Sequence, residues 1–124
     1  MDGFGGKSVY IMDNNLVLSE KTKVFLNTEI YPALKNFPKA EKFCICQEIK
    51  QALYRTIRNA QFFCNHPKGD KMKYLKAIDA DLQLLLVLFS ISKEQKYISK
   101  GRAKLWQDKI AELGRINGGL MKSL

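Results

Sequence analysis

Apolar residues recur every three or four positions in four successive stretches of the chain, beginning near residue 19. This spacing places them along one side of an α-helix, so each stretch predicts a helix that packs lengthwise on its neighbours. Four such helices joined by short connections predict an all-α, up-down-up-down four-helix bundle. The predicted core positions are Val24, Phe25, Leu26, Ile30 and Leu34; Phe43, Cys46, Ile49, Leu53, Ile57, Ala60 and Cys64; Leu75, Ile78, Leu82, Leu85, Leu86 and Phe89; and Ala103, Trp106, Ile110, Leu113 and Leu120.

Capping residues and prolines predict where the helices begin and end. Ser19 and Ser99 are the expected N-caps of the first and fourth helices. Pro32 is expected to bend the first helix near its end, and Pro38 to stand at the start of the second. The predicted helices cover residues 19–36, 38–65, 71–92 and about 99–119, the last ending near a glycine pair, with turns at 65–70 and 93–96.

The first 18 residues differ from the rest of the chain. Gly3, Gly5 and Gly6 favour flexibility, and two short apolar runs flank a turn-prone segment at residues 13–15. These features fit either a small hairpin or a flexible leader. Residues 19–124 then form the bundle domain, a length typical of one compact domain.

The charge balance is strongly basic. The 124 residues include 21 Lys and Arg against 12 Asp and Glu, giving a net charge of +9. Such an excess favours polyanionic partners, with nucleic acid first among them. Most of the excess lies on the second and fourth helices, since residues 37–66 carry +3 and residues 93–124 carry +5.

The basic residues follow helical spacing. Lys50, Tyr54 and Arg58 share one face of the second helix, where an aromatic ring between two cations suits a phosphate backbone with a base resting on the ring. Lysines also precede and open the third helix, and Lys and Arg recur along the fourth. The predicted nucleic-acid-binding residues are Lys42, Lys50, Tyr54, Arg55, Arg58, Lys73, Lys76, Lys100, Arg102, Lys104, Lys109 and Arg115.

Signals of catalysis are weak. The only histidine, His66, cannot by itself supply a metal site or a triad. Cys44 and Cys46 point to different sides of a helix, and so do Asp79 and Asp81. Asp79 interrupts an apolar region and is expected to bond a helix end or a basic residue from another helix or subunit. We therefore predict a protein that is not an enzyme, with no catalytic residues, metal or cofactor.

Cysteine usage and apolar runs predict the compartment. Three cysteines are too few for the disulfide framework of a small secreted domain, which favours a reducing environment. The N-terminal segment lacks the apolar core of a signal peptide, and the longest apolar run, residues 84–89, is too short to cross a bilayer. We expect a soluble, cytoplasmic protein with no membrane partner.

Several motifs resemble one known family. They are Tyr31-Pro32, the segment NFPKAEKF at residues 36–43, YLKAIDADL at 74–82, the link at 92–99 and AELGRINGGL at 111–120. Over residues 19–124 the chain resembles the accessory variability determinant (Avd) proteins of diversity-generating retroelements. These are similar to four-helix proteins encoded by intervening sequences in large-subunit ribosomal RNA genes.

The resemblance implies specific partners. It implies a ring-like homopentamer of four-helix protomers that binds the element's reverse transcriptase and nucleic acid. The positive charge, multiplied by symmetry, predicts binding of template RNA or an RNA–DNA hybrid through phosphates, without sequence preference. Such a protein supports mutagenic retrohoming without catalysing a reaction. The alternative is a protein-interaction module of the intervening-sequence type, whose positive charge is incidental.

Overall fold

Helices make up most of the described chain, which comprises residues 17–65 and 71–124 of a computed structural model. We label them α1 (residues 17–34), α2 (Ile45–Asn65), α3 (Lys71–Glu94) and α4 (Lys100–Lys122). The described residues contain no β-strand. The predicted hairpin or leader falls outside them except for residues 17 and 18, which are helical.

Contacts between neighbouring helices define the topology. In every adjacent pair, as the residue number rises along one helix, the number of the residue that it contacts on the neighbouring helix falls. Neighbouring helices therefore run antiparallel. The helices therefore pack as the predicted up-down-up-down bundle, with α2 and α4 at opposite corners. The contacts are Ser19–Gln61 and Tyr31–Tyr54 between α1 and α2, Arg55–Asp81 and Phe62–Tyr74 between α2 and α3, Leu75–Asn117 and Phe89–Trp106 between α3 and α4, and Lys21–Glu112 and Glu29–Trp106 between α1 and α4.

Helix α1 departs from the prediction in two ways. Because residues 17 and 18 are already helical, Ser19 lies inside the helix and its predicted role as an N-cap is wrong. A wide π-helical turn, Leu26–Ile30, precedes Pro32, and the Tyr31 N–H donates to the Leu26 carbonyl. Proline has no N–H and its ring crowds the preceding turn, so a wider turn accommodates it.

Helix α2 begins seven residues later than predicted. Pro38 has extended backbone angles, φ −57° and ψ 147°, and precedes a short 3₁₀ helix, Lys39–Glu41, rather than an α-helix. The predicted core position of Phe43 is therefore wrong: this ring lies before the helix and is 87% exposed. Val24, also predicted to be buried, is 49% exposed on α1.

The connection between α3 and α4 is tightly closed. The Tyr97 N–H donates to the Ser92 carbonyl at 2.8 Å, and Lys96 adopts a left-handed conformation with φ 65°. This is the pattern of a Schellman motif, which ends α3 at Glu94 rather than residue 92. The predicted cap at Ser99 is confirmed, since its Oγ accepts a hydrogen bond from the Arg102 N–H.

The end of α4 differs from the prediction. The helix continues through Gly118 and Gly119 to Lys122, so the glycine pair does not terminate it. Their missing side chains lower helix propensity without preventing a helix that packing holds in place. Leu120, one residue further on, is only 5% exposed and supplies that packing.

An aromatic cluster occupies the centre of the bundle. Trp106 from α4 meets Phe89 from α3 at a centroid distance of 4.9 Å and Phe25 from α1 at 6.2 Å, both edge to face. All three rings are at most 1% exposed. The Trp106 Nε1–H donates to Glu29 at 3.2 Å, so the buried indole keeps a polar partner.

Candidate functional site

Two connections bring many lysines to one end of the bundle. In an antiparallel bundle, the first and third connections lie at the same end. Residues 35–44 contain three lysines and one glutamate, and residues 93–102 contain four cations and one glutamate. We call this surface the basic end; its two segments together carry a net charge of +5, over half of the excess in the whole chain.

A side-chain bridge joins the two connections. The Tyr97 hydroxyl donates to Glu41 at 2.7 Å, and the Tyr97 and Phe37 rings lie 5.2 Å apart. The hydrogen bond to the carboxylate raises the pKa of Tyr97. Because Glu41 is held by Tyr97, one of the two acidic groups at the basic end is already engaged.

The predicted nucleic-acid-binding residues do not form one surface in a protomer. The rows on α2 and α4 belong to opposite corners of the bundle, so they face away from each other. The basic end joins some members of both rows. Lys42, Lys50, Lys100 and Arg102 lie at or beside this end, and Lys104 lies one turn further along α4. Tyr54, Arg55 and Arg58 lie further along α2, and Lys73 and Lys76 lie near the start of α3. Lys109 lies in the middle of α4 and Arg115 lies towards its other end.

Three of the predicted cations are already paired with carboxylates. Arg55 makes a two-pronged contact with Asp81, with Nη2–Oδ1 at 2.8 Å and Nε–Oδ2 at 3.1 Å. Lys104 contacts Asp108 at 2.6 Å, and Lys109 contacts Glu112 at 3.4 Å. Their roles in nucleic-acid binding stay predictions. The other predicted cations make no ion pair within the described part of the chain.

The pairing of Arg55 shows which acidic residue of α3 bonds a basic residue of another helix within the protomer, while a partner of Asp79 in another subunit stays a prediction. Asp81, not Asp79, is the carboxylate that faces another helix, and it is only 9% exposed. Asp79 lies on the exposed surface. The Asp81 carboxylate raises the pKa of Arg55 through this contact.

A second basic patch spans α2 and α3. The Arg58 guanidinium lies 5.4 Å from the centre of the Phe62 ring, and the Lys73 ammonium lies 5.3 Å from that of Tyr74. The two rings are 5.6 Å apart. Cations placed over aromatic rings are held in position by the ring quadrupole, so Arg58 and Lys73 present ordered positive charge.

The predicted row on α2 contains a tyrosine whose hydroxyl is engaged. Tyr54 and Tyr31 share a short hydroxyl–hydroxyl hydrogen bond between α2 and α1. This bond raises the pKa of Tyr54 to about 12. Tyr54 is 39% exposed, so its ring is accessible while its hydroxyl joins two helices.

Several residues of the basic end were missed from sequence alone. Lys35, Lys93 and Lys96 were not among the predicted binding residues, and Phe43 was placed in the core. Lys35, Lys96 and Phe43 are all exposed at this end, and Lys93 is partly exposed. The sequence could have indicated these residues, because the first and third connections of an up-down-up-down bundle lie at the same end.

The structure adds no catalytic arrangement within its described residues. Cys44 is exposed in the turn that precedes α2, and Cys46 is buried on the helix, so the two thiols do not converge, but the expectation that both lie on one helix is wrong. Burial raises the pKa of the Cys46 thiol. In residues 17–65 and 71–124, no three His, Cys, Asp or Glu side chains are grouped as metal ligands, and no helix suits a membrane span.

Comparison with known proteins gives one match. A family model described as bAvd-like matches residues 16–124. No curated protein matches the chain. No solved structure matches it either.

Proposed function

Because the chain belongs to the bAvd-like family, we propose that it binds the reverse transcriptase and the template RNA of a diversity-generating retroelement and so supports mutagenic retrohoming. The family membership implies an Avd-type accessory protein, and such proteins are generally not enzymes. The match over residues 16–124 is the observation that carries the proposal. This match favours the Avd type over the intervening-sequence type, the two alternatives that the motifs left open.

The charge of the basic end supports RNA as a partner. Lys42, Lys96 and Lys100 are exposed there and make no ion pair within the described residues. Unpaired ammonium groups bind phosphates without reading bases, so the same surface suits an RNA–DNA hybrid. We propose that this end, together with the patch of Arg58 and Lys73, contacts nucleic acid in the cytoplasm.

The outer surface of α3 supports self-association. Residues 82–92 contain no charged side chain, and Val87 and Ile91 are 55% and 39% exposed. An uncharged, apolar helix surface suits contact with a second copy of the chain. We propose a ring-like homopentamer, in which symmetry repeats the basic end around the assembly and multiplies its potential.

Recovery of partners from the host tests the proposal as a whole. A tagged chain purified from its native host should bring down a reverse transcriptase together with its template-repeat RNA. Mass spectrometry identifies the protein and sequencing identifies the RNA. A well-expressed bait that recovers other proteins but no polymerase and no RNA would instead support the intervening-sequence type of interaction module.

The salt dependence of RNA binding tests the basic end. Replacing Lys42, Lys96 and Lys100 with glutamine should reduce the slope of log K against log salt by about two to three units, since each lost phosphate contact removes close to one. Affinity at a fixed low salt concentration should fall in parallel. Fluorescence anisotropy with labelled RNA across a salt series measures both quantities.

A matched variant controls for net charge. Lys21, Lys23 and Lys122 lie at the opposite end of the bundle and are not among the predicted binding residues, so changing them to glutamine removes the same formal charge away from the basic end. We expect a much smaller change in slope for this control. Equal slopes in the two triple variants would show that overall charge, and not the basic end, governs RNA binding.

A further inference from the structure

A groove opens beside the basic end, between the end of α1 and the start of α2. Its volume is about 260 Å³, below the range of about 300 to 1,000 Å³ typical of drug-sized ligand pockets. Leu34 and Cys46, which are 7% and 3% exposed, give it an apolar floor. The groove is lined by Tyr31, Leu34, Lys35, Lys42, Cys46 and Lys50.

Three ammonium groups surround this floor. Lys35, Lys42 and Lys50 make no ion pair within the described part of the chain. The nearest acidic residue in sequence, Glu41, accepts the Tyr97 hydroxyl hydrogen bond and is not part of the lining, although its charge is close enough to add to the effect of burial in raising the pKa of Cys46. The groove therefore presents positive charge with no carboxylate in its lining.

Tyr31 supplies an aromatic wall. Its hydroxyl bonds to the Tyr54 hydroxyl, which restricts how the ring can turn. No aromatic ring among the described residues packs against it. A held ring beside several cations is the arrangement by which proteins stack an unpaired base and hold its phosphate.

A neighbouring groove at the same end lacks this feature. It is lined by Lys93, Lys96, Tyr97, Ile98, Ser99 and Lys100, so it also offers three lysines and a tyrosine. There, however, the Tyr97 ring packs on Phe37 at 5.2 Å, and its hydroxyl donates to Glu41. That groove provides positive charge for the phosphate backbone of a nucleic acid. The groove at Tyr31 provides positive charge and also an aromatic ring on which a base can stack.

We propose that the Tyr31 groove binds a single nucleoside phosphate, with the base against Tyr31 and the phosphate among Lys35, Lys42 and Lys50. Stacking on the Tyr31 ring requires a base that is not already stacked within a duplex, so the ligand is an unpaired nucleotide of a strand or a free nucleotide. The inference rests on the proposed nucleic-acid binding and assigns the place on the protein where one nucleotide binds. It gives the protein a preference for single strands over duplexes.

The test compares single-stranded and duplex RNA of the same sequence. Tyr31→Leu keeps an apolar side chain but removes the ring, and should weaken single-strand binding by about tenfold while leaving duplex binding unchanged. Anisotropy of labelled RNA at low salt measures both affinities. Tyr97→Leu is the matched control, and single-strand preference should survive it.

The surface variant Lys42→Gln with Lys50→Gln repeats the test without changing a half-buried ring. It should weaken single-strand binding, and if adenosine monophosphate competes for the unmodified chain, the variant should abolish that competition. Thermal melting verifies that each variant is folded. Competition by the free nucleotide in the unmodified chain, lost in Tyr31→Leu, identifies a free nucleotide as a ligand; its absence assigns the groove to a strand.

Three outcomes separate this inference from the broader proposal. If the unmodified chain binds RNA but Tyr31→Leu keeps its preference for single strands, the groove proposal is overturned and RNA binding stands. If Tyr31→Leu and Tyr97→Leu weaken binding equally, the assignment to this groove is also overturned. If the unmodified chain binds no RNA, but binds adenosine monophosphate through Tyr31, the proposed RNA binding fails and the groove proposal stands.

Discussion

Replacing Trp106 with alanine is expected to lower the free energy of unfolding by about 3 to 5 kcal/mol. The indole is fully buried and contacts aromatic rings from both α1 and α3. Its removal leaves a cavity where three helices meet, and it also leaves Glu29 without the Nε1–H donor. Since domains of this size are stable by about 5 to 15 kcal/mol, the loss takes a large share of the total.

Denaturant unfolding followed by circular dichroism measures this change. Leu105→Ala is a matched control on the preceding residue of α4, where the side chain is 45% exposed. We expect this control to cost less than about 1 kcal/mol, because little buried surface is lost. Similar losses in the two variants would contradict the central position of Trp106 in the core.

Helical periodicity predicted the elements better than their ends. The stripe containing Trp106 was predicted as core from spacing alone, and burial confirms it. Phe43 fits the same spacing, but extended backbone at Pro38 delays the helix and leaves the ring exposed. Gly118 and Gly119 were expected to end α4, yet packing of Leu120 outweighs their low propensity.

The candidate site was harder to predict because it depends on which residues meet in space. Lys42, Lys50, Lys100 and Arg102 were predicted from charge and spacing along single helices. Their meeting at one end with Lys35, Lys93 and Lys96 follows from topology, which the sequence also predicted. The two inferences had only to be combined.

Spacing also failed to show which charges cancel. Asp79 and Asp81 are two positions apart, and the resulting difference of about 200° around the helix decides which of them faces α2. Only the packed structure shows that Asp81 meets Arg55. Lys104 and Lys109 differ from this case, because their carboxylate partners lie four and three residues further along α4, a spacing that can be read from the sequence.

The ion pair of Arg55 with Asp81 gives the second large expected effect. Arg55→Ala leaves the Asp81 carboxylate, whose side chain is 13% exposed, without its guanidinium partner between two helices. We expect a loss of about 1 to 3 kcal/mol in unfolding free energy, below the cost for a fully buried pair because the Arg55 side chain is 41% exposed. Asp81→Ala should cost less, since Arg55 can turn towards water.

A double variant separates pairing from burial. Arg55→Met with Asp81→Leu removes both charges and keeps apolar volume, so its stability should lie close to that of the unmodified chain. Denaturant unfolding of Arg55→Met, Asp81→Leu and the double variant, each compared with the unmodified chain, completes the cycle. A double variant as unstable as the sum of the single changes would show that the pair contributes no coupling between α2 and α3.

The same variants decide whether Arg55 also contacts RNA. Its charge is compensated by Asp81, so Arg55→Ala, measured where it is folded, should change RNA affinity less than Arg58→Ala does. Arg58 lies one turn further along α2 and makes no ion pair within the described residues. A larger loss of affinity for Arg55→Ala would place this guanidinium at the RNA despite its carboxylate partner. We expect the opposite ranking, with Arg55 joining two helices and Arg58 facing the nucleic acid.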